Sequence, residues 1–233
     1  MPRIRRIKWS TPCLSVGTIT TPEGLRYLQR RETGSDLIEV RVDSLRAAEV
    51  EEDEIVSRLK KRKSPVLLTL RTTIEGGEYP WKSTERINLF EKLIPYGDAV
   101  DLELHNMRYV QPLLQQARDL GKGVILSTHS IQRKITYGKA VRLIDEFRKY
   151  RVQVYKMATL VRTKEDLRVL VQLLIEFPHL RLGLMGVGPL ADLSRQVLPL
   201  VGSKLVYGYL DEAAAPGQPP IGEVTTHLPL VNH

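Results

Sequence analysis

One cysteine, Cys13, stands in 233 residues, which excludes an internal disulfide and fits a reducing compartment. Aromatic residues make up only 6% of the chain and do not interleave with its two basic clusters, MPRIRRIK at the start and LKKRKS at 59–64. A surface for stacking bases is therefore missing. No apolar run approaches the length of a bilayer span, and no apolar segment with a small-residue cleavage site follows the basic N-terminus. These absences predict a soluble, cytoplasmic protein with neither a membrane nor a nucleic-acid partner. Motifs for bound groups are also missing. VGTITTPEG stands where a Gly-rich dinucleotide fingerprint would follow the first strand, no GxxxxGK phosphate loop occurs, and no Cys/His or acidic cluster has metal spacing. Nothing calls for a cofactor or a metal.

What is present is a 42% hydrophobic chain, long enough to bury one large core, with a formal charge of +8. The basic excess is spread along the chain, as suits attraction of a small anionic substrate. Short β-rich runs alternate with longer amphipathic ones. Strands are predicted at Leu14–Thr18, Leu37–Val42, Val66–Arg71, Ala99–Leu104, Val124–Thr128, Val152–Met157, Leu180–Met185 and Lys204–Tyr207. Helices are predicted at Pro22–Arg31, Glu51–Lys61, Ser83–Ile94, Met107–Leu120, Tyr137–Tyr150, Lys164–Phe177 and Ala191–Pro199, with a short eighth after Pro216. Thr163 and Asp166 have capping-box spacing, and Gly121 reads as a helix stop. Eight such units predict an α/β chain folded as one (β/α)8 TIM barrel over 1–233 rather than an open doubly wound sheet. Residues 1–13 form an N-terminal extension to it, and 208–220, rich in small residues and proline, form an active-site lid.

The stretch VQVYKMATL, 152–160, carries the chemical anomaly. Lys156 is its one charged residue, among apolar sequence neighbours, and desolvation favours the neutral amine that attacks a carbonyl carbon. The alternative is a strand-end lysine that snorkels to solvent or pairs with a carboxylate. A barrel enzyme places its chemistry at the C-terminal strand ends, and those ends are polar here. Glu39, Arg41 and Asp43 share a face in EVRVD; Thr69, Arg71 and Glu75 follow on strand three; Asp101 and Glu103 lie on strand four. Ser127 and His129 close strand five, and Ser194 and Arg195 fall in the turn after strand seven. Burying unpaired charge has no stability rationale, so several facing strands with acid, base, amine and guanidinium favour a site.

The residues EVRVD, TLRTTIEGGEYP, DLELH, STHS, YKMA, MGVGPLADLSR and AAPGQ, in that order, resemble the type I 3-dehydroquinate dehydratases of the shikimate pathway, from the first strand to Gln218. The resemblance implies a hydro-lyase of aromatic amino acid biosynthesis that converts 3-dehydroquinate to 3-dehydroshikimate. Lys156 would form an imine with the substrate ketone, His129 would move protons, and Glu75 would orient His129. Arg195 would clamp the substrate carboxylate, Glu39, Arg41, Arg71 and Gln218 would read the ring substituents, and Met185, Tyr207 and Ala214 would line the cavity. The imine supplies the electron sink, so the resemblance implies no cofactor, and it implies a homodimer. Ile131 and Tyr207 stand where the family commonly has Phe, Ala214 replaces a common serine, and Val16-Gly17 stands where some members supply a serine. Two rival readings are a class I aldolase, which shares lysine and barrel, and a non-catalytic anion or nucleic-acid binder, which predicts steeply salt-dependent binding.

Overall fold

Apolar and polar residues alternate along several of the predicted strands, and a strand sends successive side chains to opposite faces. In the computed structural model, which describes residues 6–226 and 228, eight parallel strands result. They are β1 (Leu14–Ile19), β2 (Leu37–Arg41), β3 (Val66–Thr69), β4 (Ala99–Glu103), β5 (Gly123–Ser130), β6 (Val154–Leu160), β7 (Leu182–Val187) and β8 (Leu205–Tyr209). They hydrogen-bond in the order β7-β6-β5-β4-β3-β2-β1-β8, a sheet curled into a nearly closed barrel. Outside it run α1 (Val42–Ala47), α2 (Glu52–Lys60), α3 (Ser83–Leu93), α4 (Met107–Asp119), α5 (Tyr137–Phe147), α6 (Lys164–Glu176), α7 (Ala191–Leu200) and α8 (Ile221–Thr225).

The barrel interior has two tiers. Leu14, Val16, Leu37, Leu67, Ala99, Ile125, Val154 and Leu205 form an apolar lower tier. Two residues further along several of the same strands, the inward positions turn polar: Thr18, Glu39, Thr69, Asp101, Ser127 and Lys156, all buried. The register is shared, with Lys156 opposite Ser127 on one side and Gly183 on the other. Outward residues pack against the helices in a larger second core. Ile7 and Trp9, in the stretch expected as an extension, pack on the lower tier, while residues 1–5, with most of the basic cluster MPRIRRIK, lie outside the described residues.

Several local expectations are corrected. Pro22–Arg31 is a 3-10 helix only over Glu23–Gln29, entered through a hydrogen bond from the Gly24 N–H to the Thr21 hydroxyl. Strand two stops at Arg41, and Val42 and Asp43 open α1. Asp43 is drawn there because its carboxylate accepts from the Arg71 and Glu78 backbone N–H groups as well as from Arg41. Ser194 and Arg195 lie in α7, not in the turn before it. Strands β5 to β8 run past their predicted ends because the residues that follow stay paired with the neighbouring strand. Thr163 and Asp166 make both bonds of a capping box, and Gly121 takes φ +65° just beyond α4.

The seam between β7 and β8 is bridged by the Lys204 N–H, which donates to Leu182 O at 2.8 Å, by the Arg195 side chain, and by one hydroxyl. Leu184 N–H donates to Ser203 Oγ at 2.9 Å, and Ser203 Oγ lies 3.1 Å from both Leu184 O and Leu205 O. Ser203→Ala strands that buried N–H, so a stability loss of about 1–3 kcal/mol is expected. Thermal unfolding checks it, at roughly 2–4 °C per kcal/mol for a chain of this size.

Candidate active site

Above the polar tier lies a cavity lined by residues that include Thr18, Glu39, Arg41, Arg71, Glu75, His129, Lys156, Met185, Arg195, Tyr207, Ala214 and Gln218. All eleven residues predicted for the site line it. Lys156 is 3% exposed, with Nζ 3.1 Å from Asp101 Oδ2 and 3.6 Å from Glu39 Oε1, and 4.1 Å from the centroid of the Tyr207 ring. The apolar setting expected from its sequence neighbours is thus corrected. Alternation turns Tyr155 and Met157 away, and the facing strands put carboxylates beside the amine.

Asp101 is the hub of this tier. Its Oδ1 accepts from Ser127 Oγ at 2.5 Å and pairs with Arg71 Nη2 at 2.9 Å. Burial pushes its carboxyl up, but Arg71 and Lys156 outweigh that and hold it below the usual carboxylate range. Burial pulls the pKa of Arg71 down, but Asp101, Glu103 and Glu75 outweigh it and raise it, and Arg71 Nη1 also donates to Ser127 Oγ at 2.9 Å. Glu39 accepts from Thr69 at 2.8 Å and from Thr18 at 3.2 Å. Arg41 makes a two-pronged bond to Asp43 at 2.9 and 2.6 Å.

His129 comes from the end of β5, and its Nδ1 lies 2.7 Å from Glu75 Oε2. Glu75 sits in a 3-10 turn, Thr73–Glu75, beyond β3. Burial pushes its carboxyl up, yet hydrogen bonds from His105 and His129 and the charge of Arg71 bring it down to about 2. An ionised carboxylate only accepts, so His129 Nδ1 carries the proton and Nε2 is left as the basic nitrogen. Burial and the nearby Arg71 charge lower the pKa of His129 against the pull of Glu75, which keeps the ring neutral at physiological pH. The turn is tightly built. Gly76 has φ +87°, and a Cβ there would stand 2.7 Å from Ile131 Cδ1, so Ile131 packs over a glycine where the family commonly has Phe.

Arg195 differs from the other buried cations. Its Nε donates to Tyr207 O at 3.0 Å, and its Nη1 to Gly186 O at 2.8 Å and Ala191 O at 3.0 Å, all neutral carbonyls. No carboxylate lies within 4.0 Å of it among the described residues, and burial brings its pKa down to about 10. Ser194, counted among the polar rim residues, instead ties Gly186 N–H to Ala191 O inside the fold. The Gln218 side chain accepts from Ala214 N–H at 2.9 Å and donates toward Thr18 Oγ1 at 3.4 Å, pinning the 213–220 loop over the cavity. Tyr207 walls the cavity as expected, but its buried hydroxyl has no hydrogen-bond partner.

Thr18 and His105 lie outside the site expected from the sequence, as does one contact of Asp101. Thr18 on β1 donates to Glu39 at 3.2 Å, and strand alternation from Leu14 turns it inward. Asp101 was visible as a rim carboxylate, but its contact with Lys156 spans 55 residues. His105 Nδ1 lies 2.9 Å from Glu75 Oε1, and nothing in DLELH signals that.

Comparison with known proteins gives one consistent result. The model of the family Type I 3-dehydroquinase matches residues 12–233. A 3-dehydroquinate dehydratase of Methanosarcina acetivorans is 30% identical over 203 residues, 83% of this chain and 84% of its own. The crystal structure of the 3-dehydroquinate dehydratase from Aquifex aeolicus superposes with a TM-score of 0.79 at 25% identity, covering 92% of this chain and 97% of that one. That from Geobacillus kaustophilus gives 0.83 at 21% identity, covering 99% and 96%, and bears on the fold.

The two imidazoles on Glu75 should titrate on opposite sides of the ordinary histidine value of 6.5. His129 is lowered by burial, whereas His105 is raised by its bond to Glu75. An NMR titration of the ring resonances checks this, and the reverse order would contradict the arrangement.

Proposed function

The chain belongs to the type I 3-dehydroquinase family, and from that membership we propose how its residues carry out the family's reaction, dehydration of 3-dehydroquinate to 3-dehydroshikimate through a lysine imine. The observation that carries the reading is one cavity lined by both the buried amine of Lys156 and the imidazole of His129, held by Glu75.

Lys156 attacks the C3 ketone, and loss of water from the carbinolamine leaves an imine conjugate acid that draws electrons from C2. His129 Nε2 takes a C2 proton, giving an enamine. The enamine electrons then expel the C1 hydroxyl, which leaves as water with the proton carried by His129. Water returns to C3 and releases the product and the free amine. The sum is one water lost. His129 also takes and returns the proton that the amine sheds before attack, while Asp101 and Glu39 stand beside the amine and hold it in place.

Arg195 clamps the substrate carboxylate. Its guanidinium is buried against neutral carbonyls with no acid of its own, a setting that an anionic ligand completes. Arg41 and Arg71 already spend their charge on Asp43 and on Asp101, Glu103 and Glu75, so they are left to donate to ring hydroxyls. Glu39 and Gln218 accept and donate beside them, and Met185, Ala214 and the Tyr207 ring form the apolar wall. We extend the proposal to a cytoplasmic homodimer, on the family resemblance. Segment 208–220 acts as a lid whose first residues, Gly208 and Tyr209, belong to β8. Its Pro216 carbonyl accepts from Gly188 N–H at 3.2 Å.

Borohydride with 3-dehydroquinate should trap an adduct on Lys156, read by mass spectrometry. Lys156→Ala should lower turnover, followed by enone absorbance of the product, by a factor on the order of a thousand or more. Near-normal turnover in that variant would refute the imine. No enone signal from the unsubstituted enzyme would return the aldolase reading. In His129→Ala the imine should form and elimination should slow by about 10²–10⁴-fold, the worth of general acid–base help. For the lid, limited proteolysis at 211–220 should slow when substrate is bound; equal cutting in both states would rule it out.

A further inference from the structure

The carboxylate that orients His129 is itself held from behind. Glu75 offers two oxygens. Oε2 receives His129, and Oε1 receives His105 at 2.9 Å, with Thr128 Oγ1 at a marginal 3.5 Å. His105 belongs to the 3-10 turn Leu104–Asn106 that follows β4, on the strand next to the one carrying His129. Its side chain is 32% exposed and opens on a second cavity of about 610 Å³, lined also by Thr72, Trp81, Ser83, Arg86 and Asn106. Glu75, which lines the substrate cavity, is therefore held by one imidazole from that cavity and by another that lines the second.

We propose that His105 is a positioning residue for the reaction: its Nδ1–H fixes one oxygen of Glu75, so that the other stays on His129 Nδ1. The inference rests on the reading given under Proposed function. Its physical ground is the competition around Glu75. The residue sits in a three-residue turn rather than in a strand, and Arg71 Nη1 stands 3.6 Å from Oε2. With Oε1 released, the carboxylate is free to rotate onto Arg71, a stronger partner than a neutral imidazole. His129 would then lose both its tautomer lock and its ring orientation. The remaining charged groups do not replace His105. Glu103 and Arg86 face it from β4 and α3 but are bonded to each other at 2.8 Å, and Lys156 and Asp101, which face His129, are bonded to each other at 3.1 Å. Apart from Thr128 at its marginal 3.5 Å, the second imidazole is thus the only side chain, among the described residues, bonded to Oε1 from outside the substrate cavity.

The test compares two variants of the full chain. His105→Phe keeps a ring and removes the N–H; His105→Asn places an amide N–H close to where Nδ1 stands and removes the ring. We expect His105→Phe to lower kcat by about 10- to 100-fold, a part of the general acid–base contribution, with KM within about twofold. His105→Asn should recover kcat to within about threefold of the unsubstituted enzyme. Borohydride trapping on Lys156 should still give the adduct in both variants. Unchanged kcat in His105→Phe, or an Asn variant as slow as the Phe variant while both still form the adduct, overturns the inference and leaves the imine reaction standing. If Phe disrupts the fold and abolishes the adduct, the Asn variant decides alone: near-normal kcat sustains the role, and a loss beyond tenfold with full trapping removes it. No turnover and no adduct in the unsubstituted enzyme would remove the reaction itself, and the inference with it.

Discussion

Charge closure inside the barrel governs this molecule. Among the described residues, five carboxylates are buried, Glu39, Asp43, Glu75, Asp101 and Glu103, together with five basic side chains, Arg41, Arg71, Arg86, Lys156 and Arg195. An uncompensated buried ion is costly, so each charge must meet its opposite within the fold or await one from outside. All five acids find bases, and four of the bases find acids. Arg195 alone rests on neutral carbonyls.

The same closure explains how strongly the site is tied to the scaffold. Glu39, Asp101, Ser127, His129 and Lys156 stand on strands whose register is fixed by the ladder, so their separations follow from backbone geometry. Glu75 and Gln218 come from loops, and both are immobilised by side-chain bonds: Glu75 between two imidazoles, Gln218 between Ala214 and Thr18. Loop residues gain strand-like placement only when such bonds are complete.

Much of this was legible in the sequence. The eight strands could be found because apolar alternation is local, and the rim residues because inward and outward positions differ by one step. The eleven site residues drawn from the motifs all line one cavity. What was not legible is long-range or conformational. The apolar neighbours of Lys156 in sequence are not its neighbours in space, since alternation turns them outward. Asp43 looked like the last strand residue because nothing local announces that its carboxylate caps the backbone of residues 71 and 78. Pro22–Arg31 has the punctuation of an α-helix yet winds tighter, with Gly24 and Leu25 buried against the barrel. His105 gave no signal because its partner lies in a turn that no periodicity describes.

The division of the barrel interior into an oily floor and a polar storey has a consequence for how such a protein changes over time. Stability is vested in Val16, Leu37, Leu67, Ile125 and Val154, while chemistry is vested in residues two steps higher on the same strands. Replacing a functional side chain therefore leaves the floor intact, and replacing a floor residue leaves the catalytic inventory untouched. Two separately heritable layers on shared strands let selection rework the reaction while conserving the vessel that holds it.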